Sequence, residues 1–386
     1  MRVVVKIGSQ VLTLADSGID EKIITSLAGE IDKLIREREH EFVIVTSGAV
    51  SIGRSTAVLK DFKVAKWPGL NYSKEILKNQ IRAGYGQSEL MFAYKQAFRK
   101  HSLDCAQVLA TTNDFASRRR YLSMRTVTEN YIQLGIIPIF NENDVLSAEE
   151  LGPTFNDNDH LATMVGAMID AQKLVLLSSV DGFYRSDSIT GAPEVVPVIA
   201  EIAPYLENID DTTSEGKGGM LSKLLAANQA QLLGMDVHIA SGKQPETLTA
   251  ILAGESVGTR IPAAEVKPKA AKRWVATAPM AEGKIIVSTS LADLLRKRRS
   301  ASILFPGIER VDGDFTRDQV VGVYDDGQTY LGKGQSIYGA SQLRQKVAEC
   351  ERSYQEGSAD ATLAAPIAIH YNYFVFSEAD DGARNA

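Results

Sequence analysis

Cysteine is nearly absent: Cys105 and Cys350 are the only two in 386 residues. That excludes a disulfide scaffold and any cysteine-rich zinc module. The five histidines, His40, His101, His160, His238 and His370, show no metal-ligand spacing, so no protein-held metal is expected. No apolar run reaches the roughly 18 residues of a membrane span. The N-terminus, MRVVVKIGSQ, lacks the charged, apolar, small order of a signal peptide, and a cytoplasmic location is the expectation. Neither sign of charge dominates, with 42 Lys+Arg against 48 Asp+Glu. Residues 1–262 hold 26 and 32 of these, and residues 263–386 hold 16 and 16. Neither part is basic enough to argue for nucleic acid from charge. The phosphate loops G-x-x-x-x-G-K-[ST] and G-x-G-x-x-G are both missing, so a nucleotide would have to be held in another way.

What is present is an ordinary globular composition, 44% hydrophobic and 23% charged, with length enough for two domains. Short β-branched runs predict buried strands at 2–7, 42–47, 106–111, 136–141, 173–179 and 236–241. Helical spacing fills the gaps: Ile23, Leu27, Ile31, Leu34 and Ile35 form a stripe in 21–38, and 86–100, 119–134, 157–170 and 219–233 are similar. Strands alternating with helices imply an α/β fold, a mostly parallel sheet covered on both faces. Such sheets bind ligands at the carboxyl ends of their strands. The pattern breaks near 262. Residues 263–273 read as a linker, 274–376 as a small β-rich domain with a hairpin at Asp326-Gly327, and 377–386 as a disordered tail.

Several polar groups gather at the predicted strand ends. Lys6 closes the first strand before Gly8-Ser9, either as a solvated lysine or as one facing an anion that the following N–H groups approach. Thr46-Ser47-Gly48 repeats the strand, turn, helix order, with Ser47 or a neighbour as an N-cap or as a ligand contact. Asn141-Glu142-Asn143-Asp144 and Asn156-Asp157-Asn158-Asp159 have local uses in turns and caps. Two such clusters on one sheet edge also suit a substrate with an ammonium and a carboxylate. Lys217-Gly218-Gly219-Met220-Leu221-Ser222-Lys223 places a lysine in a helix's first turn, either as a surface lysine after a flexible glycine loop or as one facing an anion, since cations are mildly disfavoured there otherwise. Arg118-Arg119-Arg120 reads as a solvated helix start or a subunit contact, and Arg296-Lys297-Arg298-Arg299 as a solvated helix end complementing the dipole, with an RNA footprint as the sharper alternative.

Together these segments resemble the amino acid kinase family, and within it the members that phosphorylate glutamate. The resemblance runs through VVKIGS (4–9), VTSGAVSIGR (45–54), GQSELMFAYKQAF (86–98), IIPIFNEND (136–144), DNDHLATMVGAMIDA (157–171), DGFY (181–184), GGMLSK (218–223) and ESVGT (255–259). The C-terminal part, with ILFPGIERVDGDFTRDQVV (303–321) and SIYGASQLR (336–344), resembles a PUA domain.

The resemblance implies transfer of the ATP γ-phosphate to the γ-carboxylate of L-glutamate, the opening step of proline biosynthesis. By position, it implies that Lys6 and Lys223 flank the transferred phosphoryl group and that Asp159 holds both lysines. It implies glutamate contacts from Ser47, Asn141, Asp144, Asp157 and Asn158. ATP would meet Lys6, Gly8, Ser9, Ser178, Ser179 and the 217–223 loop, with Mg²⁺ arriving on the nucleotide. Feedback inhibition by proline, a homo-oligomer (dimer or tetramer), and contact with glutamate-5-semialdehyde dehydrogenase, the reductase of the next step, are implied in the same way.

Some positions depart from the family pattern. Ser178-Ser179 stands for Thr/Ser-Asp, Asn156 for a glycine, Lys217 for a Thr or Ser, and His370-Tyr371-Asn372-Tyr373 for a His-Arg-Asp-Asp run. Segment 58–75 is long. None of these removes a lysine or Asp159, so an active enzyme with altered nucleotide affinity is expected. The alternatives are a family member acting on aspartate, acetylglutamate or a nucleotide, a glutamate or proline sensor without turnover, and an RNA-binding protein. The zero charge balance of 263–386 argues against the last.

Overall fold

The computed structural model describes residues 1–14, 18–38, 40–60, 62–64, 73–146, 158–186, 193–206, 219–298, 300–355 and 366–377. Two compact units emerge, Met1–Thr111 with Met124–Pro268, and Thr112–Ser123 with Lys269–Ala386.

The first unit is built on seven strands: β1 Arg2–Ile7, β2 Glu41–Val45, β3 Asp104–Ala110, β4 Ile136–Glu142, β5 Lys173–Ser178, β6 Asp236–Ser241 and β7 Thr259–Ile261. Their order in the sheet is β7-β6-β5-β1-β2-β4-β3. Every pairing is parallel except β6 with β7. The antiparallel edge strand β7 has three residues, too few for a periodicity to show. Its longer helices are α1 Glu21–Arg38, α2 Ala49–Ser55, α3 Lys74–Arg99, α4 Arg118–Gln133 (in this unit from Met124), α5 Asn158–Ile169, α6 Met220–Leu232 and α7 Thr247–Ala253.

Alternation along β1 explains the layers. Val3, Val5 and Ile7 share one core with Ile24, Leu27, Ile31 and Leu34 of α1 and with Leu90 and Tyr94 of α3. Val4 and Lys6 point to the opposite face. There α5 is buried on all sides, from Leu161 to Ile169, as a helix apolar all round must be. The chain leaves β1 towards β2 on one side and returns to β5 on the other. β1 is therefore a topological switch point, and its carboxyl end opens a crevice. Lys6 stands there, in register with Val45 and Leu176.

Helices α2 and α3 meet at two glycines. A Cβ on Gly53 would fall on the carbonyl of Arg82, and one on Gly86 on the carbonyl of Ala49. Only glycine permits backbones this close.

The second unit carries a five-stranded sheet of β8 Lys284–Val287, β9 Ile308–Asp312, β10 Val320–Asp325, β11 Tyr330–Gln335 and β12 Phe374–Phe376, in the order β9-β8-β10-β11-β12. Its helices are α8 Ala270–Thr277, α9 Thr289–Lys297 and α10 Ala340–Gln355. The hairpin at 326–329 forms as the sequence suggests, but the residue with positive φ is Gln328, at 65°, and not Gly327. Four residues turn here, braced by Thr329 N–H donating to Asp325 Oδ1 at 2.8 Å, so the two-residue geometry does not apply. The stretch 263–273 read as a linker ends inside α8. The tail read as disordered, beyond Ser377, lies outside the described residues. Trp274 is fully buried in this unit, and its indole N–H donates to the Phe115 carbonyl at 2.9 Å. Tyr121 packs on the indole at 6.1 Å, and the Arg118 guanidinium lies over it at 4.8 Å.

Candidate active site

Three charges meet at the carboxyl end of β1. Lys6 Nζ lies 2.6 Å from Asp159 Oδ1, and Lys223 Nζ lies 3.1 Å from Asp159 Oδ2. Asp159 is fully buried, and Lys6 and Lys223 are 3% and 9% exposed. Sequence supplies each from a different element: Lys6 from β1, Asp159 from the first turn of α5, and Lys223 from the first turn of α6. A carboxylate is favoured at a helix start and a lysine is not. The ion pair offsets the unfavourable position of Lys223. Burial opposes the charge of Asp159, but Lys6 and Lys223 outweigh it and hold its carboxyl below the usual range. Two ammonium groups on one buried carboxylate leave a net positive centre, suited to an anion with several oxygens.

Beside this centre runs a chain of side-chain amides. Asn158 Nδ2 donates to the Thr46 carbonyl at 2.8 Å, to Ser47 Oγ at 2.9 Å and to Asn141 Oδ1 at 3.0 Å. Asn141 Nδ2 donates to Gln87 Oε1 at 2.7 Å. The chain joins α5, β2, β4 and α3. Of Ser47 and its neighbours, it is the neighbour that caps the helix. Gly48 is the N-cap of α2 in a left-handed conformation, with no side-chain cap bond. The Ser47 hydroxyl is turned to Asn158 instead, because the left-handed glycine directs the chain away before the helix begins.

A cavity of about 300 Å³ adjoins the amides, lined by Gln87, Gln107, Leu109, Glu142, Asn143 and Asp144, among others. Burial, and next the Glu142 carboxylate, push the Asp144 carboxyl up to about 7.

On the other flank Gly8 N–H donates to the Leu177 carbonyl at 3.0 Å, and Ser9 opens a short helical turn. Ser178 is buried, and the Ser179 hydroxyl donates to Gln10 Oε1 at 2.7 Å. Gly219 is the N-cap of α6, followed by Met220, Leu221 and Ser222. Asn156, Asp157, Lys217 and Gly218 lie outside the described residues. Among the described residues no cluster of three or more His, Cys, Asp or Glu side chains could hold a metal ion, and no helix is long and apolar enough to cross a membrane.

The structure thus brings Lys6, Asp159, Lys223, Ser47, Asn141 and Asn158 together and puts Asp144 on the adjoining cavity. Sequence reasoning missed Gln87. Its only signal was the Gly86-Gln87 pair, where a glycine inside a helix marks a close approach that fixes the next side chain.

Residues 1–241 match the amino acid kinase family and residues 283–352 the PUA domain. The chain is 35% identical over 350 residues to a protein of Chlorobaculum tepidum named glutamate 5-kinase, covering 89% of this chain and 92% of that one. It is 36% identical over 356 residues to the glutamate 5-kinase of Methylobacillus flagellatus, covering 90% and 92%. The glutamate 5-kinase of Geobacter sulfurreducens is 33% identical over 345 residues, 89% of each chain.

Proposed function

Since the chain belongs to the amino acid kinase family, we propose that it transfers the γ-phosphate of ATP to the γ-carboxylate of L-glutamate, giving L-glutamyl 5-phosphate for proline biosynthesis. The observation that carries this reading is the buried Lys6–Asp159–Lys223 centre beside the amide chain.

A carboxylate is already a nucleophile, so no general base is needed. One γ-carboxylate oxygen forms the new P–O bond, the bond from the γ-phosphorus to the bridging oxygen breaks, and ADP leaves with the electron pair. Such a transfer needs alignment and charge neutralisation. Lys6 and Lys223 supply the charge, and Asp159 holds both in place before substrate arrives. One preorganised donor of this sort is worth about 3 kcal/mol, or roughly 10²–10³ in rate. Ser47, Asn141, Asn158 and Asp144, with Asp157, bind glutamate. Gly8, Ser9, Ser178, Ser179 and the 217–223 loop bind the nucleotide, whose substrate form is MgATP. The metal comes with the phosphates, in keeping with an Asp159 already engaged by two lysines.

Purified protein with MgATP, glutamate and hydroxylamine tests the reading, since hydroxylamine traps an acyl phosphate. A glutamate-dependent hydroxamate is expected, and its absence sinks the assignment. A homo-oligomer, a cytoplasmic setting and hand-over of the labile acyl phosphate to a reductase belong to the same reading. So does inhibition by proline, which the same assay examines with proline added.

A further inference from the structure

The amide chain leaves one donor unused, and its direction is fixed by backbone groups alone. The Thr46 carbonyl can only accept, so Asn158 must present Nδ2 to it. Glu142 N–H can only donate, and it donates to Asn141 Oδ1 at 3.0 Å. Asn141 must therefore turn Nδ2 towards Gln87, and Gln87 must answer with Oε1. Its two Nε2 hydrogens are left over. Gln87 is 9% exposed, and Nε2 is buried without a hydrogen-bond partner. A buried unpaired amide donor is costly to retain unless something arrives to accept from it.

Gln87 lines the cavity with Glu142 and Asp144. From Lys6 and Asp159 the order of groups is Asn158, Asn141, Gln87 and then the cavity. A glutamate with its γ-carboxylate at the lysines therefore has its amino-acid end against Gln87. The carboxylates of Glu142 and Asp144 line the same cavity and suit an ammonium. The anion that meets an N–H donor there is the α-carboxylate.

We infer that Gln87 is a specificity-determining residue, whose Nε2 donates to the α-carboxylate of the substrate while its Oε1 braces Asn141. The inference rests on the glutamate-phosphorylating reading and adds a residue and a discrimination to it. Gln87 selects acids whose α-carboxylate is free over those in which it is amidated, because an ionised acceptor makes the stronger bond.

The test compares L-glutamate with its α-amide, which keeps the γ-carboxylate, in the hydroxamate assay. Gln87→Glu keeps an oxygen to accept from Asn141 but replaces the free donor with an acceptor. The preference for glutamate over the α-amide, as a ratio of kcat/KM, is expected to fall about tenfold or more. KM for MgATP should stay within twofold. Gln87→Met, with neither donor nor acceptor, is the second variant, and a smaller loss of preference is expected. A role confined to holding Asn141 would lower turnover of both acids alike. An unchanged preference in either folded variant overturns the inference and leaves the kinase reading intact. Absence of hydroxamate from the wild-type protein removes both.

Discussion

Asp144 and Asp159 are both largely enclosed, yet burial has opposite outcomes for them. Two lysines keep Asp159 charged, whereas Asp144 faces Glu142 and its carboxyl is pushed up to about 7. An unfolded aspartate titrates near pH 4, so folding takes up a proton at Asp144 between those values, and stability falls as pH rises through that window. Asp144→Asn removes this penalty. Its unfolding midpoint by scanning calorimetry should exceed that of the wild type at pH 8 and equal it at pH 4. The proposed contact of Asp144 with a substrate ammonium requires the charged form, so on that reading wild-type kcat/KM for glutamate should drop about tenfold per unit below its pKa. The Asn variant should lose that limb along with most of its activity. A flat wild-type profile between pH 5 and 7 would remove Asp144 from glutamate binding.

The crossing of α2 and α3 sets the spacing of two groups proposed to meet the substrate, since Ser47 precedes one helix and Gln87 rides on the other. Gly86→Ala must force the helices apart, because its Cβ meets the Ala49 carbonyl and not a yielding side-chain tip. Overpacking of this kind costs about 1–3 kcal/mol. A lower unfolding midpoint is expected, with KM for glutamate raised and KM for MgATP little changed. Equal rises in both would show a general loosening instead. Elements were the most legible level of this chain. Strong β-branched runs gave away all six parallel strands of the first sheet, and the α1 stripe lies in the core apart from its partly buried ends at Ile23 and Ile35. The three-residue β7 and β12 carry no period to read. Within the stretch read as β-rich, α10 was hidden, and only the basic end of α9 at Arg296-Lys297 was legible. Site residues were legible less directly. Lys6, Asp159 and Lys223 lie far apart in sequence, and their own neighbourhoods suit strand ends and helix starts equally well. It was the resemblance that joined them. Gln87 lay inside a matched segment, yet nothing in a helical glutamine announces a buried amide.

At the scale of the whole molecule, sequence order and spatial grouping differ. Thr112–Ser123 lies in the middle of the kinase sequence but folds with Lys269–Ala386. Trp274 closes that grouping through Phe115, Tyr121 and Arg118. Trp274→Ala should cost about 3–5 kcal/mol, read as a lower midpoint in urea unfolding, and an unshifted midpoint would deny the indole its packing role. The separation has a consequence in time as well. The Phe115 carbonyl and the indole that bonds to it are 159 residues apart. At a synthesis rate of about 5–20 residues per second, Phe115 leaves the ribosome roughly 8–32 s before Trp274 exists. During that interval the Tyr121 ring is without the indole it packs against and the Phe115 carbonyl is without its donor, so this aromatic cluster stays incomplete until the C-terminal part of its unit has been made.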